Sequence, residues 1–296
     1  MNASRRPPFG MRQTAVDTRS GPIECLRNEP ADPGSPVAIT VNGLAETGHR
    51  WGPALVQAAR LGHTAYSYDH IGQFTAGSDT DRTVTSLADE LWALIDELSP
   101  AAPVHVVGGC FGGFVARDLS YRAPHRIRSL VLLGSGWDLA GSAAPRLHEQ
   151  VAHAVANDGM NAVFDKIREE AVRAGISHRV VDRVRESYLA IRPEFLAGFS
   201  RSVADYPDTT ARLPAQGNVT APVLVTHGSA DGMWSATQQR RLAERMNAPI
   251  AVIDGAGHSP TVTHPRATAE TLARFWSAVD SGAPIIPQPE LDTSSS

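Results

Sequence analysis

Three side chains in this sequence are of the types used in nucleophilic catalysis, and each follows a run of strand-forming residues. The first is Cys110. The segment Val104-His105-Val106-Val107-Gly108-Gly109-Cys110-Phe111-Gly112-Gly113 passes from an apolar stretch into glycines and then into a helix-compatible sequence. A G-x-C-x-G pattern between a strand and a helix predicts a sharp turn that lifts the cysteine out of a sheet. Glycines tolerate the strained backbone of such a turn and let helix and strand pack closely. The sulfur then sits at a helix N-terminus, where backbone N–H groups and the helix dipole favour an anion. That is a site for a nucleophilic thiol. The plainer alternative is a buried cysteine in a glycine-rich turn.

The second and third side chains are an acid and a histidine. Pro222-Val223-Leu224-Val225-Thr226-His227-Gly228 reads as a short strand, and Asp231 lies in the loop after it. Pro249-Ile250-Ala251-Val252-Ile253 reads as another, followed by a glycine-rich loop ending in His258. In this reading His258 is the general base that takes the thiol proton, and an acid orients its ring. The chain order nucleophile, acid, histidine differs from the orders of two other well-known triads. Singly, Asp231 reads as a turn residue and His258 as a surface histidine. Together with Cys110, each just past a strand, they predict one site along the carboxyl edge of a parallel sheet.

The elements needed to position them are legible. Strands are expected near 22–27, 36–41, 64–68, 104–108, 129–133, 222–226 and 249–253. Helices are expected near 48–61, 83–99, 111–123, 235–247 and 265–279. This alternation predicts an α/β fold with a mostly parallel central sheet flanked by helices. The helix at 83–99 shows one apolar face, with Val84, Leu87, Leu91, Leu94, Ile95 and Leu98. Thr83 is its expected N-cap and Pro100 its stop. The rhythm breaks over 138–215, where four helical stretches are expected near 144–157, 160–174, 177–191 and 193–204 and no strand is apparent. The division expected is a disordered extension at 1–20, a core at 21–137 and 216–280, a helical insertion at 138–215 and a disordered tail at 281–296.

Composition sets the bounds. A chain of 296 residues that is 42% hydrophobic suffices for one large core. A net charge of −4 argues against nucleic acid as a partner, since phosphate binding needs a basic surface. No apolar run is long enough to span a membrane. Residues 1–20 lack the apolar stretch of a secretory signal. The two cysteines make no disulfide framework, and a working thiol prefers a reducing compartment. The expected location is the cytoplasm. Nothing in the motifs asks for a metal or a cofactor, and the oligomeric state is left open.

At these residues the chain resembles the α/β-hydrolase fold with a Cys-His-Asp triad, over roughly residues 22–279. Val41-Asn42-Gly43-Leu44 is similar to the oxyanion loop after the third strand of that fold, and Tyr68-Asp69-His70-Ile71-Gly72 to its Asp-x-x-Gly turn. The His264-Pro265 helix start fits its final helix. The resemblance implies that the N–H groups of Phe111 and Leu44 hold the oxyanion. It implies that 138–215 is a cap over the nucleophile. It also leaves two candidates for the acid: Asp231 in the usual place, and Asp138, because modular thioesterases of this fold carry the acid after the sixth strand. Trp137 and Trp234 flank these acids and either wall a substrate pocket or pack the core. Cysteine in place of serine makes the acyl-enzyme a thioester, open to attack by nucleophiles other than water. The chain most resembles the thioesterase-like Dieckmann cyclases of tetramate and pyridone biosynthesis. That implies a small-molecule or carrier-protein-bound polyketide/peptide thioester as substrate. A thioesterase, esterase or lactone hydrolase with the same triad is the alternative, and a non-catalytic binding protein is a third.

Overall fold

The computed structural model describes residues 10–29, 34–43, 46–74, 82–137, 150, 153–173, 178–204, 206 and 221–285. Among these residues the strands are β1 (Met11–Thr18), β2 (Gly21–Asn28), β3 (Val37–Val41), β4 (Thr64–Tyr68), β5 (Val104–Gly109), β6 (Ile127–Leu133), β7 (Val223–Gly228) and β8 (Ile250–Ile253). They form a single sheet in the order β1-β2-β4-β3-β5-β6-β7-β8. β2 is antiparallel to both β1 and β4, and every other pairing is parallel. The chain crosses from the β4 side to the β5 side of β3, and a crevice opens at such a reversal above the carboxyl ends of the strands.

The helices cover both faces. α1 (Gly52–Arg60) is entered through a 3₁₀ turn at Gly48–Trp51. α2 (Val84–Leu98) starts as expected at Thr83, whose side chain accepts from the Ser86 N–H in a reciprocal capping box. α3 (Gly112–Arg122) follows the Cys110 turn. The insertion contributes α4 (Gly159–Arg173), α5 (His178–Leu189) and α6 (Pro193–Ala204). α7 (Ala236–Met246) is capped by Ser235 with Gln238, and the short α8 (Pro260–Thr263) leads into α9 (Pro265–Ser281). Strand alternation divides the core. Val104 and Val106 of β5 face a cluster with Leu87 and Leu91 of α2, Phe114 and Leu119 of α3, and Leu242 of α7. Val107 faces the other cluster, with Leu55 of α1 and Leu272, Phe275 and Trp276 of α9.

Two expectations need correction. The extension expected to be disordered over 1–20 contains β1, which pairs with β2 along its whole length, from Met11↔Asn28 to Thr18↔Gly21. β1 is an edge strand that buries Met11 alone. Backbone hydrogen bonds hold it rather than an apolar face, so its Arg12, Gln13, Thr14 and Asp17 show no period for a reader of sequence to find. The segment expected to be a disordered tail from 281 is structured at its start. α9 runs to Ser281, Gly282 closes it in the left-handed region, and Ile285 packs against the core; residues 286–296 lie outside the described residues. Much of the insertion, including 138–149 and 207–215, also lies outside them.

Candidate active site

Cys110 occupies the turn between β5 and α3 with φ 49°, a left-handed value that is strained for a side chain with a Cβ. The turn is held from below by Cys110 N–H donating to Leu133 O of β6 at 2.9 Å. It depends on close approach at two glycines. A Cβ on Gly108 would lie 2.5 Å from Gly112 O, and one on Gly112 would lie 2.3 Å from Val41 O. This packing presses the start of α3 against β3 and β5 and leaves Cys110 8% exposed.

The other two residues arrive from neighbouring strands. Asp231 lies three residues past the end of β7, and His258 five past the end of β8. His258 Nδ1 is 3.1 Å from both carboxylate oxygens of Asp231. Asp231 is fully enclosed, while the His258 ring is 23% exposed. Asp231 Oδ1 also accepts from the N–H groups of Met233 at 2.8 Å and Trp234 at 3.2 Å. Room for the pair comes from Gly134 just after β6, where a Cβ would stand 3.2 Å from Asp231 Oδ2 and 3.5 Å from His258 Nδ1.

The electrostatics follow from these contacts. Burial works against ionising Asp231, yet its hydrogen bond and attraction to His258, with the two N–H donors, hold its carboxyl below the usual range. Burial likewise opposes charge on His258. Negative charge at the Cys110 sulfur, the hydrogen bonds to Asp231 and Cys110, and the Asp231 charge outweigh it and hold the imidazole well above the ordinary histidine range. The ring is therefore biased to hold a proton when the sulfur beside it is anionic.

The remaining expected site residues fall as follows. Phe111 leads into α3 immediately after the thiol, and its ring meets Trp234 edge-on with centroids 6.3 Å apart. Trp234 is buried and packs where Gly136 has no side chain; a Cβ there would lie 2.3 Å from its ring. Trp137 is buried, and the Arg245 guanidinium sits 4.9 Å from its ring centre. Leu44 and Asp138 lie outside the described residues. Asn42 donates from Nδ2 to Tyr68 O at 2.5 Å and so ties the start of the loop after β3 to β4.

Three residues at the site were not found from sequence. Met233 Sδ lies 3.8 Å from Cys110 Sγ. Glu46 Oε2 accepts the Gly43 N–H at 3.0 Å, and a Cβ on Gly43 would stand 2.9 Å from Cys110 Cβ. Arg117 of α3, wholly buried, donates to Gly136 O at 3.1 Å and Trp137 O at 2.7 Å, which fixes the loop after β6. A buried arginine inside the helix of a nucleophile turn is an anomaly that sequence could have flagged. The other two carry no such signal, because loop side chains reveal their direction only in three dimensions.

The fold is shared with an esterase from Thermogutta terrifontis in its malate-bound structure, at TM-score 0.75 and 22% identity over 90% of this chain and 99% of that one. In sequence the chain is 29% identical over 194 residues to a pimeloyl-[acyl-carrier protein] methyl ester esterase of Aromatoleum aromaticum, covering 60% of this chain and 75% of that protein. It is 24% identical over 217 residues to the polyketide synthase ThaQ of Burkholderia thailandensis, covering 71% of this chain and 10% of that much longer protein. The profile of the alpha/beta hydrolase family matches residues 38–271, from the second residue of β3 to within α9, and so takes in every strand that carries a site residue. The chain belongs to the alpha/beta hydrolase family.

Proposed function

We propose that this protein is a cysteine-dependent acyl-transfer enzyme that hydrolyses thioesters or esters through an acyl-Cys110 intermediate. One observation carries the reading: the strained turn at φ 49° presents Cys110 at the sheet edge where His258 Nδ1 meets both carboxylate oxygens of Asp231 at 3.1 Å. The Cys110 sulfur attacks the substrate carbonyl while His258 takes the thiol proton. The N–H groups of Phe111 and Leu44 receive the oxyanion. His258 returns the proton to the departing thiol or alcohol, leaving a thioester on Cys110. It then deprotonates water, which attacks the thioester; the acyl–sulfur bond breaks, the acid leaves, and His258 returns the proton to the Cys110 sulfur. Asp231 keeps the ring oriented and balances its charge. The esterase names of the relative and of the fold neighbour support hydrolysis.

The helices of 138–215 serve in this reading as a cap. Phe164, Tyr188, Phe195 and Phe199 share one apolar cluster with Cys110 and Phe111, which supports that role. A reducing compartment such as the cytoplasm suits the thiol. No helix of the described residues is long and apolar enough to cross a membrane.

A second reading is carried by the thiol itself. A thioester carbonyl is weakly resonance-stabilised, so a carbon nucleophile of the bound chain can replace water and release a tetramate or pyridone by Dieckmann-type cyclisation. The likeness to a polyketide synthase, and the carrier protein in the name of the other relative, support a carrier-bound acyl substrate. Intact-mass and product measurements decide between the two readings. A p-nitrophenyl ester and an N-acetylcysteamine thioester should each give a transient adduct on Cys110 and then the linear acid. A β-ketoacyl-aminoacyl thioester that emerges as a cyclic tetramate establishes cyclisation. Undiminished turnover in Cys110→Ala overturns both.

A further inference from the structure

Met233 is one of two large hydrophobic side chains more than a third exposed among the described residues, at 37%; the other is Leu61. Leu61 closes the end of α1, remote in sequence from every site residue. Met233 instead touches the candidate nucleophile, with its sulfur 3.8 Å from Cys110 Sγ. Its backbone is anchored, because its N–H donates to Asp231 Oδ1 at 2.8 Å. To the Cys110 sulfur, its side chain is tied only by a weak S–H···S contact and dispersion. A methionine side chain is unbranched and turns about three bonds, so it can leave such a contact with its backbone in place. The contact also depends on the state of the thiol. An acyl group on Cys110 would compete with the thioether for the space beside the sulfur, 3.8 Å away. Phe111 and Trp234, the chain neighbours of Cys110 and Met233, meet edge-on with ring centroids 6.3 Å apart.

We propose that Met233 is a displaceable cover and specificity-determining residue. It shields the Cys110 sulfur at rest, swings aside when the sulfur is acylated, and packs against an apolar acyl chain. The proposal rests on the reading of Cys110 as nucleophile, and its test keeps the two apart. The probe is iodoacetamide, with mass mapping to show a single adduct at Cys110. Met233→Ala should raise the alkylation rate about tenfold, since thiol reactivity follows access. Met233→Leu, which keeps the cover, should stay near the wild-type rate. Should Met233→Ala fail to fold, Met233→Thr also removes the thioether and carries the same expectation. In a second readout, the KM of Met233→Ala for a hexanoyl N-acetylcysteamine thioester should rise by about three- to tenfold more than its KM for the acetyl analogue. An alkylation rate within about twofold of wild type in Met233→Ala, or no alkylation in any variant, overturns the cover. Faster alkylation together with full turnover in Cys110→Ala would instead leave the cover standing and remove the nucleophile.

Discussion

At the scale of single residues, the Cys110 thiol lies beside a His258–Asp231 pair whose two members shift each other's ionisation. The Cys110 charge is the largest influence raising the His258 pKa, ahead of the Asp231 hydrogen bond. The His258 titration, followed by NMR of its imidazole, should therefore lie well above the ordinary value in the wild type and fall towards it in Cys110→Ala. The sign for stability follows. A histidine whose folded value is raised contributes in full below its unfolded value of about 6.5, and the contribution is lost as pH climbs through the folded value. On the acyl-Cys110 reading, Cys110→Ala should lower turnover by about 10³-fold or more. Asp231→Asn keeps the side-chain shape and loses the charge that favours the imidazolium, so kcat should fall by about 10²- to 10⁴-fold. The turn at Cys110 and the positions of Asp231 and His258 were legible in the sequence, because each belongs to a short motif tied to the end of a strand. Met233 and Glu46 were not. Their roles depend on where a loop side chain points, and no local pattern encodes that.

At the scale of elements, the turn after β5 is the most demanding piece of the chain. Gly112→Ala would drive a Cβ to 2.3 Å from Val41 O, a backbone atom that cannot step aside. Urea denaturation should show a loss of at least about 2 kcal/mol. Gly232, in the loop after β7, has open space where a Cβ would stand. Gly232→Ala should change stability by no more than about 0.5 kcal/mol. Elements with strong periodicity could be read in advance. The stripe from Val84 to Leu98 and the Thr83 cap placed α2 to within a residue of each end. β1 escaped because pairing, not an apolar face, holds it to β2.

At the scale of the whole molecule, a polar stitch far from the active edge ties the last helix to the sheet. His105 of β5 is buried, with Nδ1 2.7 Å from Ser129 Oγ and Nε2 3.2 Å from Asp280 of α9. Arg128 pairs with the same carboxylate. Burial, against the pull of Asp280 and with some help from Arg128, lowers the His105 pKa to about 4. The unfolded chain then binds a proton that the folded one refuses between about pH 6.5 and 4, so stability falls as pH drops through that window. The loss should amount to up to about 3 kcal/mol. Thermal melts of wild type and His105→Gln between pH 4.5 and 7 check this. The wild type should lose melting temperature on acidification more steeply than the variant.

The sequence by itself determined the order of the strands from β2 onwards and of the longer helices, the turn at Cys110, and the places of Asp231 and His258 just past later strands. Those features are local: periodicity, capping, glycine and the ends of apolar runs are all written within about ten neighbouring residues. What brought Cys110, Asp231 and His258 together was the sheet order, in which β5, β6, β7 and β8 lie side by side and parallel. Only the tertiary structure decided that His258 meets Asp231 across the space left by Gly134, that Asn42 ties the loop after β3 to β4, and that Met233 lies on the thiol. Each of these contacts joins residues far apart in the chain, and a distance across strands is set by packing, which a single sequence does not display.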